Sequence, residues 1–136
     1  MNTNEPNTLV RDDLQFDAPV LVAARELAKS KPWRGTIEER KAKFQSAFES
    51  LTKALGLSDW SILFDACTGA NSFRSYADPR RRTLYLKGKL SVVTLLNLTA
   101  AAARVPHRYH WAVTLFKQCF PRSFARCRLV NGMLIR

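Results

Sequence analysis

Residues 82–104, RTLYLKGKLSVVTLLNLTAAAAR, decide the fold. The first six alternate: Leu84 and Leu86 fall on one side, and Thr83, Tyr85 and Lys87 on the other. That spacing predicts a β-strand over 82–87, ended by Gly88. From Ser91 the alternation gives way to an apolar run, SVVTLLNLTAAAAR, which predicts a helix over 91–104. Ser91 suits its N-cap and Pro106 breaks it. The apolar residues surround nearly the whole circumference, so this helix is expected at the buried centre of the fold.

Downstream, residues 107–119 read as a second helix, with Trp111, Leu115 and Cys119 in one row four residues apart. Phe120-Pro121 ends it. The tail 122–136 alternates basic and apolar residues and fits either a short strand or a helix. Upstream, residues 60–65 (WSILFD) read as a strand, and Thr68-Gly69-Ala70-Asn71 as a turn. Residues 72–76 fit a second strand before the Asp78-Pro79 turn. Thr36-Ile37-Glu38-Glu39 is a capping box opening a helix whose stripe is Phe44, Ala47, Phe48, Leu51 and Leu55, with Gly56 as its C-cap. Residues 18–30 read as a shorter helix carrying Leu21, Ala24 and Leu27, stopped by Lys31-Pro32. Residues 1–16 are polar and lack periodicity, which predicts a flexible or loosely docked tail. The expected architecture is a single α+β domain over 17–136, with a small antiparallel sheet packed against a buried central helix.

A chain of 136 residues with 46% hydrophobic and 24% charged residues has enough apolar material for one packed core. No run of about 18 apolar residues marks a membrane span. The N-terminal residues MNTNEPNTLVRDD are neither a signal peptide nor an Arg-rich transit peptide, so a cytoplasmic location is expected. Cys67, Cys119 and Cys127 form no C-x-x-C pair, so reduced thiols are expected rather than a disulfide framework.

The charge is divided unevenly. Residues 1–76 hold ten basic and ten acidic side chains. Residues 77–136 hold twelve basic side chains against the single acid Asp78, and so carry the whole net charge of +11. Nine of the twelve are arginines, whose planar fork binds phosphate through two hydrogen bonds at once. Such asymmetry points to DNA, RNA or another acidic surface as partner. The same composition fits a merely soluble basic protein with Arg stems lying over apolar surface.

The layout from Tyr76 to Pro121 resembles a minimal zincin metallopeptidase of the SprT-like kind. In that family an edge strand leads by a short turn into an apolar helix bearing H-E-x-x-H. Here the strand is 83–87 and the helix 91–104, so the resemblance implies a zincin-like minimal domain over about a third of the chain. In that register the five motif positions are Asn97, Leu98, Thr99, Ala100 and Ala101. Zinc chemistry needs two imidazoles one turn apart and a carboxylate base. Asn97, Leu98 and Ala101 supply neither, so no catalytic or metal-binding residue carries over. His107 stands ten positions after Asn97, but Arg104 replaces the glycine that pattern requires.

His107, His110, Cys119 and Cys127 together offer four ligand types that zinc accepts, yet the spacing H-x2-H-x8-C-x7-C fits no standard finger. Structural roles are expected for them, and no metal or cofactor is called for. A Cys–His nucleophile has no local support. Asp59 and Asp65 flank a strand and are expected as turn formers. Phe73, Arg74 and Tyr76 precede Arg80-Arg81-Arg82 and Tyr85, and Arg108, Tyr109 and Trp111 share a helix. Arginines among exposed aromatics are the composition of a single-strand or RNA-binding surface; aromatics in the core are the alternative.

The expected function is therefore a non-catalytic basic protein that binds nucleic acid. Arg80, Arg81 and Arg82 form the centre of the surface, and Lys87, Lys89, Arg104, Arg108, Arg122, Arg126 and Arg128 extend it. The alternatives are a zincin-like pseudoenzyme that docks an acidic protein partner, or an active metallopeptidase-like enzyme with unusual ligands.

Overall fold

A computed structural model describes residues 5–65 and 74–136. The turn expected at 68–71 and Cys67 lie outside the described residues. The protein is an α+β domain. Helix α1 (Ala18–Lys29) and helix α2 (Ile37–Ala54) come first. Strands β1 (Ser61–Phe64), β2 (Tyr76–Asp78) and β3 (Thr83–Leu86) follow. Helices α3 (Val92–Ala102), α4 (Arg108–Cys119) and α5 (Pro121–Ala125) precede a hairpin of β4 (Arg128–Val130) and β5 (Met133–Ile135). No described helix is long and apolar enough to cross a membrane.

The local signals place α2 well. Thr36 Oγ1 accepts the Glu39 N–H at 3.1 Å, and Glu39 Oε1 accepts the Thr36 N–H at 3.2 Å. The Thr36 backbone N–H foremost, and then the Thr36 hydroxyl, hold the Glu39 carboxyl below its ordinary value. At the other end Gly56 has φ +74°, and Leu57 N–H reaches back to the Thr52 carbonyl at 2.8 Å. That left-handed residue closes a Schellman motif, which a glycine adopts without strain. Thr36→Ala removes one half of the box and is expected to lower stability by about 1 kcal/mol. Thr36→Ser should restore it, as urea denaturation would show.

Phe44, Ala47, Phe48 and Leu51 of α2 pack against Val20, Ala23, Ala24 and Leu27 of α1 in the core. The buried stripe of α1 is thus rotated from the expected Leu21 row, and Leu21 is half-buried. Leu55, the last member of the expected α2 stripe, is likewise half-buried, at the C-cap.

The sheet differs from the antiparallel one expected. Its order is β1-β3-β2, with β3 parallel to β1 and antiparallel to β2. Alternation has period two whichever way the neighbour runs, so residue spacing leaves direction open. Nor is the strand before α3 an edge: β3 is central and all four of its residues are buried. Tyr85 lies opposite Tyr76 in the ladder and their rings stack at 4.8 Å, so the Thr83 and Tyr85 side of the strand is covered as well.

Helix α3 is the centre of the fold. Leu95, Leu96, Leu98, Thr99 and Ala100 are buried, and none of its residues is fully exposed. Ser91 caps it by accepting from Thr94 N–H at 3.3 Å. The Thr99 hydroxyl donates to the Leu95 carbonyl at 2.6 Å, so this buried side chain is satisfied within the helix, whereas Asn97 Oδ1 is buried with no partner among the described residues. Helix α3 packs against α2, α4, β2 and β3. Helix α4 buries six consecutive residues, Trp111 to Phe116, between α3, α1 and the N-terminal segment.

Residues 5–16 of that segment, expected as flexible or loosely docked, lie against α4. After a 3-10 turn at Pro6–Leu9, the Leu9 carbonyl meets His110 Nδ1 at 2.9 Å. Arg11 N–H donates to the Thr114 hydroxyl at 2.9 Å. Phe16 sits edge-on to Trp111 at 5.6 Å. The segment gains order from single contacts with α4, which leave no periodic trace in its own sequence.

Candidate nucleic-acid interface

The turn between β2 and β3 presents the arginine run. Asp78 builds the turn: its Oδ1 accepts the N–H groups of Arg80 and Arg81 at 3.0 and 3.4 Å. Short acidic side chains form such turns by replacing a backbone acceptor. Arg82 then has φ +46° and its carbonyl accepts Ser61 N–H, joining the turn to β1. All three arginines are exposed. Two have acid partners: Arg81 Nη1 lies 3.2 Å from Asp78 Oδ2, and Arg82 Nη1 3.6 Å from Asp59 Oδ2. Arg80 has none among the described residues. The Arg82–Asp59 pair is exposed on both sides and contributes at most about 1 kcal/mol, so a phosphate can displace Asp59. The Asp78 side chain, by contrast, is only 16% exposed and stays in the turn.

The remaining basic residues separate into sets. Arg104 and Arg108 are exposed on either side of the α3–α4 turn, where Arg104 and His107 have φ +58° and +51°. Arg122, Arg126 and Arg128 are exposed on α5 and the start of β4. Lys89 is exposed beside the first turn of α3. Lys87 departs from its expected role: its ammonium is buried, with no hydrogen-bond partner among the described residues. A side chain expected at phosphate is covered instead, and its backbone N–H donates to Ser75 Oγ at 2.8 Å.

The aromatic residues also turn inward. Tyr85 and Trp111 are buried. Tyr76 stacks on Tyr85, and the half-buried Tyr109 hydroxyl accepts Leu134 N–H, while burial pushes its ionisation upward. Tyr85 and Trp111 are thus withdrawn from any nucleobase, Tyr76 has one ring face taken by Tyr85, and Phe73 lies outside the described residues.

The four residues weighed as zinc ligands each have another place. The Leu9 carbonyl only accepts, so His110 Nδ1 is the donor there. The ring of His107 is edge-on to that of His110 at 6.4 Å. Cys127 Sγ donates to the Ser123 carbonyl at 3.3 Å. Burial raises both thiols, with Arg25 opposing weakly at Cys119 and Arg136 at Cys127. Among the described residues no three His, Cys, Asp or Glu side chains converge on a point that could hold a metal ion. At the zincin positions Leu98 is buried in the core, Ala101 is half-buried, and Asn97 Oδ1 is buried without a partner. Asp59 and Asp65 have φ +61° and +55°, and Asp65 Oδ1 accepts Gly88 N–H at 2.8 Å, which ties the end of β1 to the loop after β3 across the sheet.

Compared with protein-family models, with curated proteins and with solved structures, the chain finds no match.

One grouping was not legible in the sequence. Arg40 from α2, Lys89 from the β3–α3 loop and Arg136 after β5 come together around one cavity, also lined by Trp33. These residues are distant in the chain, and Arg40 lies in the half with no net charge, so neither spacing nor charge asymmetry marks it. The hairpin over that cavity did carry a signal: Asn131-Gly132, both at positive φ (+51° and +75°), is the two-residue turn that joins antiparallel strands.

Proposed function

We propose that this protein is a non-catalytic domain that binds nucleic acid through phosphate contacts of its exposed arginines, centred on Arg80, Arg81 and Arg82. The observation that carries this reading is exposure: of the ten basic side chains expected at the interface, all but Lys87 are exposed. Only Arg81 and Arg82 among those have an acid partner in the described residues. Cations that are neither buried nor neutralised are available to phosphate oxygens. The inward aromatics favour contact with the backbone of the nucleic acid over stacking on unpaired bases.

Counterion release provides the test. Each phosphate neutralised steepens the fall of log affinity with log salt by about 0.9 for duplex DNA. Fluorescence anisotropy with a labelled duplex across several salt concentrations should give a steep slope. Changing Arg80, Arg81 and Arg82 together to Ala should flatten it by up to about three units and weaken binding at every sequence alike. Binding no tighter than that of an unrelated protein of equal charge would overturn the reading. Capture of an acidic protein after nuclease treatment would then favour the zincin-like adaptor.

A further inference from the structure

A cavity of about 480 Å³ opens where the loop after α1, the first turn of α3, helices α4 and α5 and the last strand meet. That volume lies within the range of small-molecule sites. Its wall is aromatic. Trp33, 47% exposed, is edge-on to Phe120 at 6.5 Å, and Phe120 stacks on Phe116 at 5.2 Å. Val93 of α3 is also in the lining.

The polar part of the lining is one-sided. Arg40, Lys89 and Arg136 contribute its charge, beside Ser91, Ser123 and Cys127, and no acidic side chain does. Arg40 Nε donates to the Pro32 carbonyl at 2.9 Å, which holds the guanidinium in place, and its Nη groups have no partner among the described residues. Lys89 likewise has no acid partner there. The amides of Val92 and Val93, first in α3, donate to nothing in the described residues, because Ser91 Oγ takes the Thr94 N–H instead. An apolar space furnished with donors and cations leaves a neutral or cationic occupant with unmatched charge around it. An anion matches it, and a flat ring matches aromatic edges and faces.

We propose that this cavity binds a small aromatic monoanion, a fused or single ring bearing one carboxylate. The ring lies against Trp33 and Phe120, and the carboxylate is held by Arg40 and Lys89. Lys89 is common to this inference and the nucleic-acid reading, but Arg80, Arg81 and Arg82, on which that reading centres, do not line the cavity.

Calorimetric titration with 2-naphthoate, and with 2-naphthamide as its neutral counterpart, tests the proposal. Naphthoate is expected to bind the parent, and the amide roughly ten-fold or more weakly, for want of the charge-assisted bonds. Lys89→Gln should weaken naphthoate by roughly ten-fold and leave the amide unchanged. Val93→Trp fills the cavity and should abolish the heat of binding. If that variant fails to fold, Trp33→Ala, at a half-exposed position, decides the matter by a loss of roughly ten-fold or more. The R80A/R81A/R82A protein should bind naphthoate as the parent does, so the two readings stand or fall separately. Equal affinity for acid and amide, no binding at millimolar naphthoate, or full binding by the Trp33→Ala protein would each overturn the proposal.

Discussion

Leu95→Asp is expected to abolish the cooperative thermal transition at neutral pH. Leu95 has no exposed surface and belongs to the core that α3 shares with its neighbours. Losing a buried leucine costs about 2–5 kcal/mol through transfer and cavity terms. An unpaired carboxylate in the same place adds several kcal/mol more, and a whole domain is stable by only about 5–15 kcal/mol. The backbone offers no rescue, because the Leu95 carbonyl already accepts from Thr99 and its N–H already donates to Ser91. Circular dichroism on heating would show the loss. Leu95→Ala is the graded control and should melt cooperatively at a lower temperature. A Leu95→Asp protein that melts like the parent would place α3 on the surface.

Removing residues 1–16 is expected to destabilise the domain by about 2–4 kcal/mol, taking roughly 1 kcal/mol for each partly buried apolar side chain and allowing for the entropy of ordering the segment. Leu9, Val10, Leu14 and Phe16 all pack on the core. Their removal uncovers the edge of Trp111 and deprives the buried Thr114 hydroxyl of its Arg11 donor. It also takes the Leu9 carbonyl from His110. Urea denaturation should show a lower midpoint. Unchanged unfolding would mean that the segment lies on α4 without holding it, as the polar sequence by itself suggests.

The cationic surface was partly legible. The β2–β3 turn follows from Asp78-Pro79, and the exposure of Arg80 and Arg81 follows from the turn. Lys87 was misread because alternation assigns it a face and says nothing of what covers that face. Tyr85 could lie on the surface or in the core by its sequence, and it is in the core because the two strands pair in a register that sets Tyr76 over it.

What the sequence determined by itself is the set of elements whose causes are local. The Thr36 capping box, the Gly56 cap, the strand at 83–86 and the Ser91-capped helix each depend on residues within about five positions of one another, and each is present where it was expected. Tertiary structure alone decided the order and direction of the strands, the docking of residues 5–16, the withdrawal of Lys87 and the cavity that gathers Arg40, Lys89 and Arg136. Backbone periodicity and capping are satisfied within one turn of chain. Burial and pairing are satisfied by whichever distant surface fits, and a single sequence does not name that surface.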